Sequence, residues 1–151
     1  MVRALARSVT REERAKRATH YTIRCARKVV ELPGKEGTVP AELMAMKLGP
    51  FLLLTMPGEP MVEYGFRIER AIADRAVPIV VGYANGNIGY IATEASYAVG
   101  GYEPEMSRMR PEAEELICRE LDGLADQVIG DVFRTFNKHP INVPKEQAGK
   151  R

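Results

Sequence analysis

Glu59 is the first residue whose place in the sequence suggests chemistry. It follows an apolar run at residues 51–56 that Pro57 and Gly58 interrupt, and a run that short is typical of a strand buried on both faces. A helical pattern begins after Pro60, whose missing N–H suits the first position of a helix. The sequence therefore predicts that Glu59 lies at a helix N-terminus, where the dipole and the free backbone amides stabilise a carboxylate even without a metal ion.

Tyr90 belongs to the segment that follows the next predicted strand. Residues 79–83 form a second apolar run, and the residues after it are rich in Gly and Asn, which allow positive φ angles and close approach of the backbone. Taken alone, Tyr90 is interpreted as a half-buried strand tyrosine whose hydroxyl has one ordinary partner. The spacing predicts that Glu59 and Tyr90 both follow the carboxyl ends of strands, where open α/β sheets usually bind ligands.

Four short motifs between residues 48 and 107 resemble the neutral/alkaline ceramidases and their ceramidase-like bacterial relatives. They are Pro57-Gly58-Glu59-Pro60, Gly89-Tyr90-Ile91-Ala92-Thr93, Tyr97 and Gly100-Gly101-Tyr102-Glu103. Members of this family are zinc-dependent amidases in which a metal-bound water cleaves an N-acyl linkage. The resemblance covers the C-terminal part of the family's catalytic domain, and it rests on the order and spacing of the set.

The resemblance implies a role for three residues. Glu59 matches the family's glutamate ligand of zinc, Tyr90 matches its tyrosine ligand, and Tyr102 matches a second tyrosine that hydrogen-bonds near the reacting centre. The family also uses two histidines from an earlier part of the domain, which His20 and His139 do not match. Zinc and activity are therefore expected only if a histidine-bearing partner chain or a homo-oligomer completes the site, and the implied substrate is lipid-like with an N-acyl bond.

Two functions from different classes follow from these residues. In the first, the chain is a C-terminal segment or subunit of a ceramidase-like zinc-dependent amidohydrolase and is inactive alone. In the second, it is a non-catalytic interaction or assembly module that keeps the fold. A chain cut from a larger domain should also expose an apolar patch where the missing part docked.

The pattern predicts an α/β fold with a small mixed, partly parallel sheet and about three covering helices. Apolar residues at helical spacing, with a capping box at Thr10, favour a helix at residues 10–30, and two further helices are predicted at 60–75 and 111–136. Pro and Gly favour a loop at residues 32–37. Strands are predicted at residues 42–48, 51–56 and 79–83 and in part of 88–92. The first of these should lie near a sheet edge, and the next two should form a right-handed parallel crossover.

Composition is consistent with one domain or a partial domain. The chain has 151 residues, of which 45% are hydrophobic, and residues 1–9 and 138–151 are predicted to be flexible ends. No apolar run reaches membrane-spanning length, and the charged residues 1–32 do not form a signal peptide, so a cytoplasmic location is the default expectation and the compartment is not assigned. Cys25 and Cys118 are predicted to be small buried hydrophobes.

Charge is distributed unevenly along the chain. Residues 1–28 contain nine Lys or Arg, whereas acidic residues crowd the predicted helix at 111–136. A basic segment can bind nucleic acid, but few aromatic side chains interleave the basic ones here. The favoured interpretation is a solvated basic face near the acidic helix, with no nucleic-acid partner.

Overall fold

A four-stranded sheet with the order β1-β2-β3-β5 forms the centre of the computed structural model, which describes residues 23–130. β1, β2 and β3 are antiparallel, and β3 and β5 are parallel. The strands are β1 (Ile23–Gly34), β2 (Gly37–Leu48), β3 (Phe51–Thr55), β4 (Glu59–Pro60), β5 (Val77–Val81) and β6 (Tyr90–Ile91). The helices are α1 (Val62–Ile72), α2 (Glu94–Val99), α3 (Tyr102–Met106) and α4 (Ala113–Ile129). The predicted α/β fold with a mixed, partly parallel sheet is confirmed.

The hairpin of β1 and β2 corrects three predictions. Residues 23–30 belong to a strand and not to the helix predicted at 10–30, whose first part lies outside the described residues. The ladder of β1 and β2 continues to the pair Gly34↔Gly37, so residues 32–37 form strand ends and a tight turn instead of a loop. β2 lies between β1 and β3 and is not near an edge. The small residues of β1 fit a helix locally, but pairing along twelve residues of β2 overrides that preference.

The crossover from β3 through α1 to β5 gives the parallel pair that the sequence predicts, with Phe51 opposite Val77 and Thr55 opposite Val81. Both long helices are shorter than predicted, because α1 ends at Ile72 and α4 begins at Ala113. Residues 131–136 of the last predicted helix lie outside the described residues. The strand predicted in part of 88–92 is β6, but it pairs with β4 in a separate two-stranded sheet and not, as predicted, in the central sheet.

The hydrophobic core lies on one face of the central sheet. Leu43, Ala45, Leu52 and Leu54 are fully buried there, and α4 packs against β1 and β2 while α1 packs against β5. The helices contribute apolar side chains to the same core: Tyr64, Ile68, Ile72, Ala113, Ile117, Leu121, Leu124, Ala125, Val128 and Ile129. The predicted buried face of the last helix is therefore confirmed at its described positions.

The opposite face of the sheet is open to solvent in the described part of the chain. Phe51 on β3 is 43% exposed and Ile79 on β5 is 41% exposed, so the prediction that the 51–56 strand is buried on both faces is wrong for one face. Cys25 also lies exposed on β1, against the prediction that it is buried, whereas Cys118 on α4 is half-buried beside the core.

Ion pairs join the elements on the helical side. Arg67 of α1 binds Glu114 and Glu115 of α4, and Arg75 binds Asp122 and Asp126 of the same helix. A further pair at 2.6 Å joins Lys28 of β1 to Glu120 of α4. Lys28, at the end of the basic segment, is thus a neighbour of the acidic helix, and residues 1–22 of that segment lie outside the described residues. Within residues 23–130, none of the helices has the length and apolarity needed to cross a bilayer.

Candidate active site

Three chain segments meet beyond the carboxyl ends of β3 and β5. The turn after β3 binds the residues after β5 through two backbone hydrogen bonds, from the Tyr83 amide to the Gly58 carbonyl at 2.7 Å and from the Ala84 amide to the Met56 carbonyl at 3.2 Å. The Glu59 amide donates to the Gly89 carbonyl at 3.0 Å. Residues 56–61, 81–85 and 88–91 therefore form one corner of the molecule, which we call the tyrosine corner.

Glycine is required at two places in the tyrosine corner. Gly58 has a φ of 108°, and a Cβ there would collide with the Gly89 carbonyl. A Cβ on Gly82 would lie 2.7 Å from the ring of Pro60 and 3.0 Å from the Gly58 carbonyl. The backbones can approach closely enough to bond only because these two positions carry no side chain.

Glu59 and Tyr90 are opposite each other in the parallel pair of β4 and β6. The sequence predicted that both follow strand ends but could not show that they pair. Glu59 is also not in the first turn of a helix, because α1 begins at Val62 with Met61 as its N-cap. The expected helix-terminal position of Glu59 is therefore wrong, and so is the expected place of Pro60 at the first helical position.

Tyr83 is the hydrogen-bond partner of the Glu59 carboxylate. Its hydroxyl donates to Oε2 of Glu59, so a phenol and not a backbone amide satisfies this side chain. Tyr83 has a φ of 53°, which is unusual for a residue with a side chain, and its side chain is exposed. The sequence reasoning did not assign Tyr83 to the site; its position at the end of a strand before Asn85-Gly86 was the available signal.

Tyr102 packs edge-on against Tyr90, with ring centroids 5.6 Å apart and an interplanar angle of 77°. This is a favoured geometry for aromatic pairs. The Tyr90 backbone is fixed as well, because Oγ of Ser107 donates to its carbonyl at 2.9 Å. The three residues selected by the resemblance, Glu59, Tyr90 and Tyr102, thus lie together, and Tyr83 adds a fourth group to them.

The Glu59 carboxylate shifts the pKa values of the two tyrosines beside it. It raises the pKa of Tyr90 above the ordinary value for tyrosine, and the hydrogen bond that Tyr83 makes to Glu59 raises the pKa of Tyr83 as well. Both phenols are therefore protonated near neutral pH and can act as hydrogen-bond donors. A cation at the corner would reverse this effect, because a bound metal ion favours deprotonated oxygen ligands.

The described residues do not form a complete zinc site. Glu59 and Tyr90 offer two oxygen ligands, and residues 23–130 contain no group of three or more His, Cys, Asp or Glu side chains placed to hold a metal ion. Zinc in proteins is usually held by three or four ligands, most of them nitrogen or sulfur. His20 and His139 lie outside the described residues. Two oxygen donors alone do not fit the group that the resemblance implies.

Asn85 links the tyrosine corner to the end of the central sheet. Its φ of 67° turns the chain after β5, and its Nδ2 donates to Oγ1 of Thr55 at 3.0 Å. Thr55 is the last residue of β3, so the loop after one parallel strand closes over the end of the other.

Among known proteins, neutral ceramidases are similar to part of this chain. No family model matches the chain. A neutral ceramidase of Mycobacterium tuberculosis (strain ATCC 25618 / H37Rv) is 34% identical over 76 residues, which cover 47% of this chain and 12% of that protein. The crystal structure of neutral ceramidase from Pseudomonas aeruginosa is similar in fold, with a TM-score of 0.54 and 24% identity over 62% of this chain and 15% of that one.

A second solved structure, a ceramidase complexed with C2, has a TM-score of 0.52 and 22% identity over 71% of this chain and 16% of that one. The resemblance predicted from the motifs is thereby confirmed: the chain contains a ceramidase-like region. It spans only a small part of the length of these relatives.

Proposed function

We propose that this chain is the C-terminal segment or a subunit of a ceramidase-like amidohydrolase, which hydrolyses an N-acyl bond once a histidine-bearing polypeptide completes its metal site. The observation that carries the proposal is the pairing of Glu59 with Tyr90 across β4 and β6, with Tyr102 packed against Tyr90. These residues come from three separate motifs of the sequence, and all three lie at the same corner of the molecule.

Each residue has a distinct part in this proposal. Glu59 supplies a carboxylate, and Tyr83 orients it through the hydrogen bond from its hydroxyl. Tyr90 supplies the second oxygen ligand. Tyr102 is 60% exposed, so its phenol is accessible to a substrate and can donate to an oxyanion that develops on the acyl carbonyl. Zinc would be held only if two histidines of another polypeptide join Glu59 and Tyr90.

A complementation experiment tests this function. The chain is co-expressed with the Mycobacterium tuberculosis neutral ceramidase from which the region similar to this chain has been deleted. Zinc is measured by mass spectrometry, and ceramide is the substrate. We expect zinc and hydrolysis in the assembled sample, and neither in the deleted ceramidase alone.

Single substitutions test which residues zinc binding and hydrolysis depend on. Glu59→Gln should remove most of the zinc and the hydrolysis, because the neutral amide is a poor ligand, whereas Glu63→Gln on the exposed first turn of α1 should change neither. Tyr102→Phe should retain zinc and lower kcat by about a hundredfold if its phenol stabilises the oxyanion. Hydrolysis that survives Glu59→Gln would contradict the proposal.

One observation favours a second candidate, a non-catalytic interaction or assembly module. Tyr83 already donates a hydrogen bond to the Glu59 carboxylate, so this side chain has a partner without an ion. Metal analysis of the assembled sample separates the two functions. One tightly held zinc per complex, lost in Glu59→Gln, would rule out the non-catalytic module.

A further inference from the structure

The face of the central sheet opposite the helices, which we call the open face, is apolar across all four strands. Strand register places Ile23, Leu48, Phe51 and Val77 in one row, and these side chains are between 39% and 62% exposed. The next row continues with Cys25, Met46, Leu53 and Ile79. An exposed apolar surface of this extent is typical of an interaction site.

The strands that form the open face have the composition of strands buried on both sides. β3 reads Phe-Leu-Leu-Leu-Thr and β5 reads Val-Pro-Ile-Val-Val, without the alternation of apolar and polar residues that a one-sided sheet shows. Near-continuous apolar runs of this kind are typical of strands that are covered on both faces. In residues 23–130, helices cover one face only, so the sequence is suited to a second layer.

Charged groups on the open face leave its centre apolar. On β1, Arg27 is the next residue after Cys25 on the same face, beyond the second row. Its guanidinium lies 3.5 Å from the carboxylate of Glu42 on β2. The two charges compensate each other at one side of the face. An apolar centre with a polar rim is the usual anatomy of a protein interface.

The size of the open face distinguishes between two occupants. The two apolar rows, about 6.7 Å apart across four strands about 4.8 Å apart, give an apolar footprint on the order of 300 Å². A stable interface buries about 800 Å² on each partner. A second copy that covers these two rows alone would bury too little, whereas a larger partner can cover them and extend beyond the sheet.

The open face ends at the tyrosine corner. The row beyond the two apolar rows contains Thr55, which is buried beneath Asn85, and the half-buried Val81. These are the last residues of β3 and β5, and the chain after them leads to Glu59 and Tyr83. A partner that lies on this face and extends past the strand ends therefore reaches the corner, where residues 23–130 supply no nitrogen ligand to the proposed site. In the solved ceramidases, the part with this fold belongs to a chain of which it is only 15–16%.

We propose that the open face is the docking surface for the histidine-bearing remainder of a ceramidase-like catalytic domain, which packs an apolar layer on the sheet and reaches Glu59 and Tyr90 at its edge. This inference rests on the proposed function, since that function defines the partner. It adds the surface that the partner covers, and it predicts which residues become protected.

Cys25 is a built-in probe of the open face, because its thiol lies in the second row and is exposed, whereas Cys118 is half-buried on α4. The chain is labelled with N-ethylmaleimide, alone and co-expressed with the deleted Mycobacterium tuberculosis ceramidase, and the rate at each cysteine is measured by mass spectrometry. We expect labelling of Cys25 to be at least tenfold slower in the assembled sample, with the rate at Cys118 unchanged.

Substitutions give a second measurement. Phe51→Asp places a charge in the first row of the open face and should abolish co-purification, whereas Phe66→Asp, at a 55% exposed position on α1, should leave it intact. Circular dichroism of both variants checks that they are folded. If Phe51→Asp does not fold, protection of Cys25 in the unmodified chain still decides the question.

Several results would overturn the docking proposal. These are failure to co-purify, a complex in which Cys25 reacts as fast as in the free chain, and protection of Cys25 in the chain alone that rises with concentration, which would identify a second copy as the occupant. A complex with Cys25 protected but without zinc or ceramide hydrolysis would instead leave the docking surface in place and contradict the proposed function.

Discussion

The two faces of the central sheet have similar sequences and different surroundings. Leu52 and Leu54 on β3 are fully buried beneath α1 and α4, whereas their neighbours Phe51 and Leu53 belong to the open face and contact solvent. The helical side is complete within the described residues, with an apolar core and ion pairs between α1 and α4. No second layer of residues 23–130 covers the open face, and the tyrosine corner lies beside it.

This difference shows that apolar sequence alone does not identify what buries a strand. The run Phe51–Thr55 is apolar at every position but the last. This composition suits a strand between two layers, and it does not indicate whether both layers belong to the described residues. Four comparisons, each between two residues, would test whether the two sides differ in energy as they do in exposure.

The largest difference is expected between two neighbouring leucines. Leu54→Ala should lower the free energy of unfolding of the free chain by about 3 kcal/mol, because it leaves a cavity in the core. Leu53→Ala on the open face should cost about 1 kcal/mol or less, since its side chain is only half-buried. Urea unfolding measures both, and equal costs would mean that the open face is already covered in solution.

The next difference concerns two glycines on either side of Glu59. Gly58→Ala forces a side chain into a positive φ and against the Gly89 carbonyl, so it should destabilise the chain by about 2 kcal/mol and displace Glu59 from Tyr90. Gly65→Ala meets open space on α1 and should stabilise the helix by about 0.5–1 kcal/mol. Thermal unfolding measures the two changes, and a neutral Gly58→Ala would show that the corner is looser than described.

The two thiols should differ in reactivity in the free chain. Burial raises the pKa of the Cys118 thiol to about 11, so at pH 8 only about one molecule in a thousand carries the reactive thiolate. Cys25 is exposed on the open face. Alkylation at pH 8 should therefore modify Cys25 at least tenfold faster, and the rate at Cys118 should rise as the pH approaches 11. Equal rates would mean that α4 opens readily from the sheet.

The smallest effect is expected for the ion pair between Lys28 and Glu120. The hydrogen bond from Lys28 holds the pKa of Glu120 below its ordinary value, so the pair stabilises the fold above the unfolded pKa of about 4.3 and loses this effect as the pH falls through the folded value. Lys28→Met should cost about 0.5 kcal/mol at pH 7 and nothing in acid, because the lysine is largely exposed.

Arg27→Met is the control for this pair. Its partner Glu42 lies on the open face, and the Arg27 side chain is 73% exposed, so the substitution should change stability even less than Lys28→Met. Urea unfolding at pH 7 and pH 3 compares the two variants. A cost of Lys28→Met that persists unchanged at pH 3 would show that packing of the lysine stem, and not the charge, joins β1 to α4.

Local patterns were sufficient where each element could be interpreted from its own residues. The apolar runs predicted β3 and β5, the helical spacing predicted α1 and α4, and the crossover predicted that β3 and β5 are parallel. The same patterns failed for residues 23–30, because small residues at helical spacing also fit a strand once a long partner is available. That partner lies beyond a turn, which a local pattern does not include.

The sequence by itself determined the candidate chemistry: a carboxylate at Glu59 and phenols at Tyr90 and Tyr102, in an order that resembles the ceramidases. Only the tertiary structure decided that Glu59 pairs with Tyr90, that Tyr83 donates to Glu59, and that the helices of residues 23–130 cover one face of the sheet only. The physical reason is that residue types and spacing act over a few neighbouring positions. Strand pairing and coverage of a face depend instead on contacts between distant segments, and some of those segments belong, in our proposal, to another polypeptide.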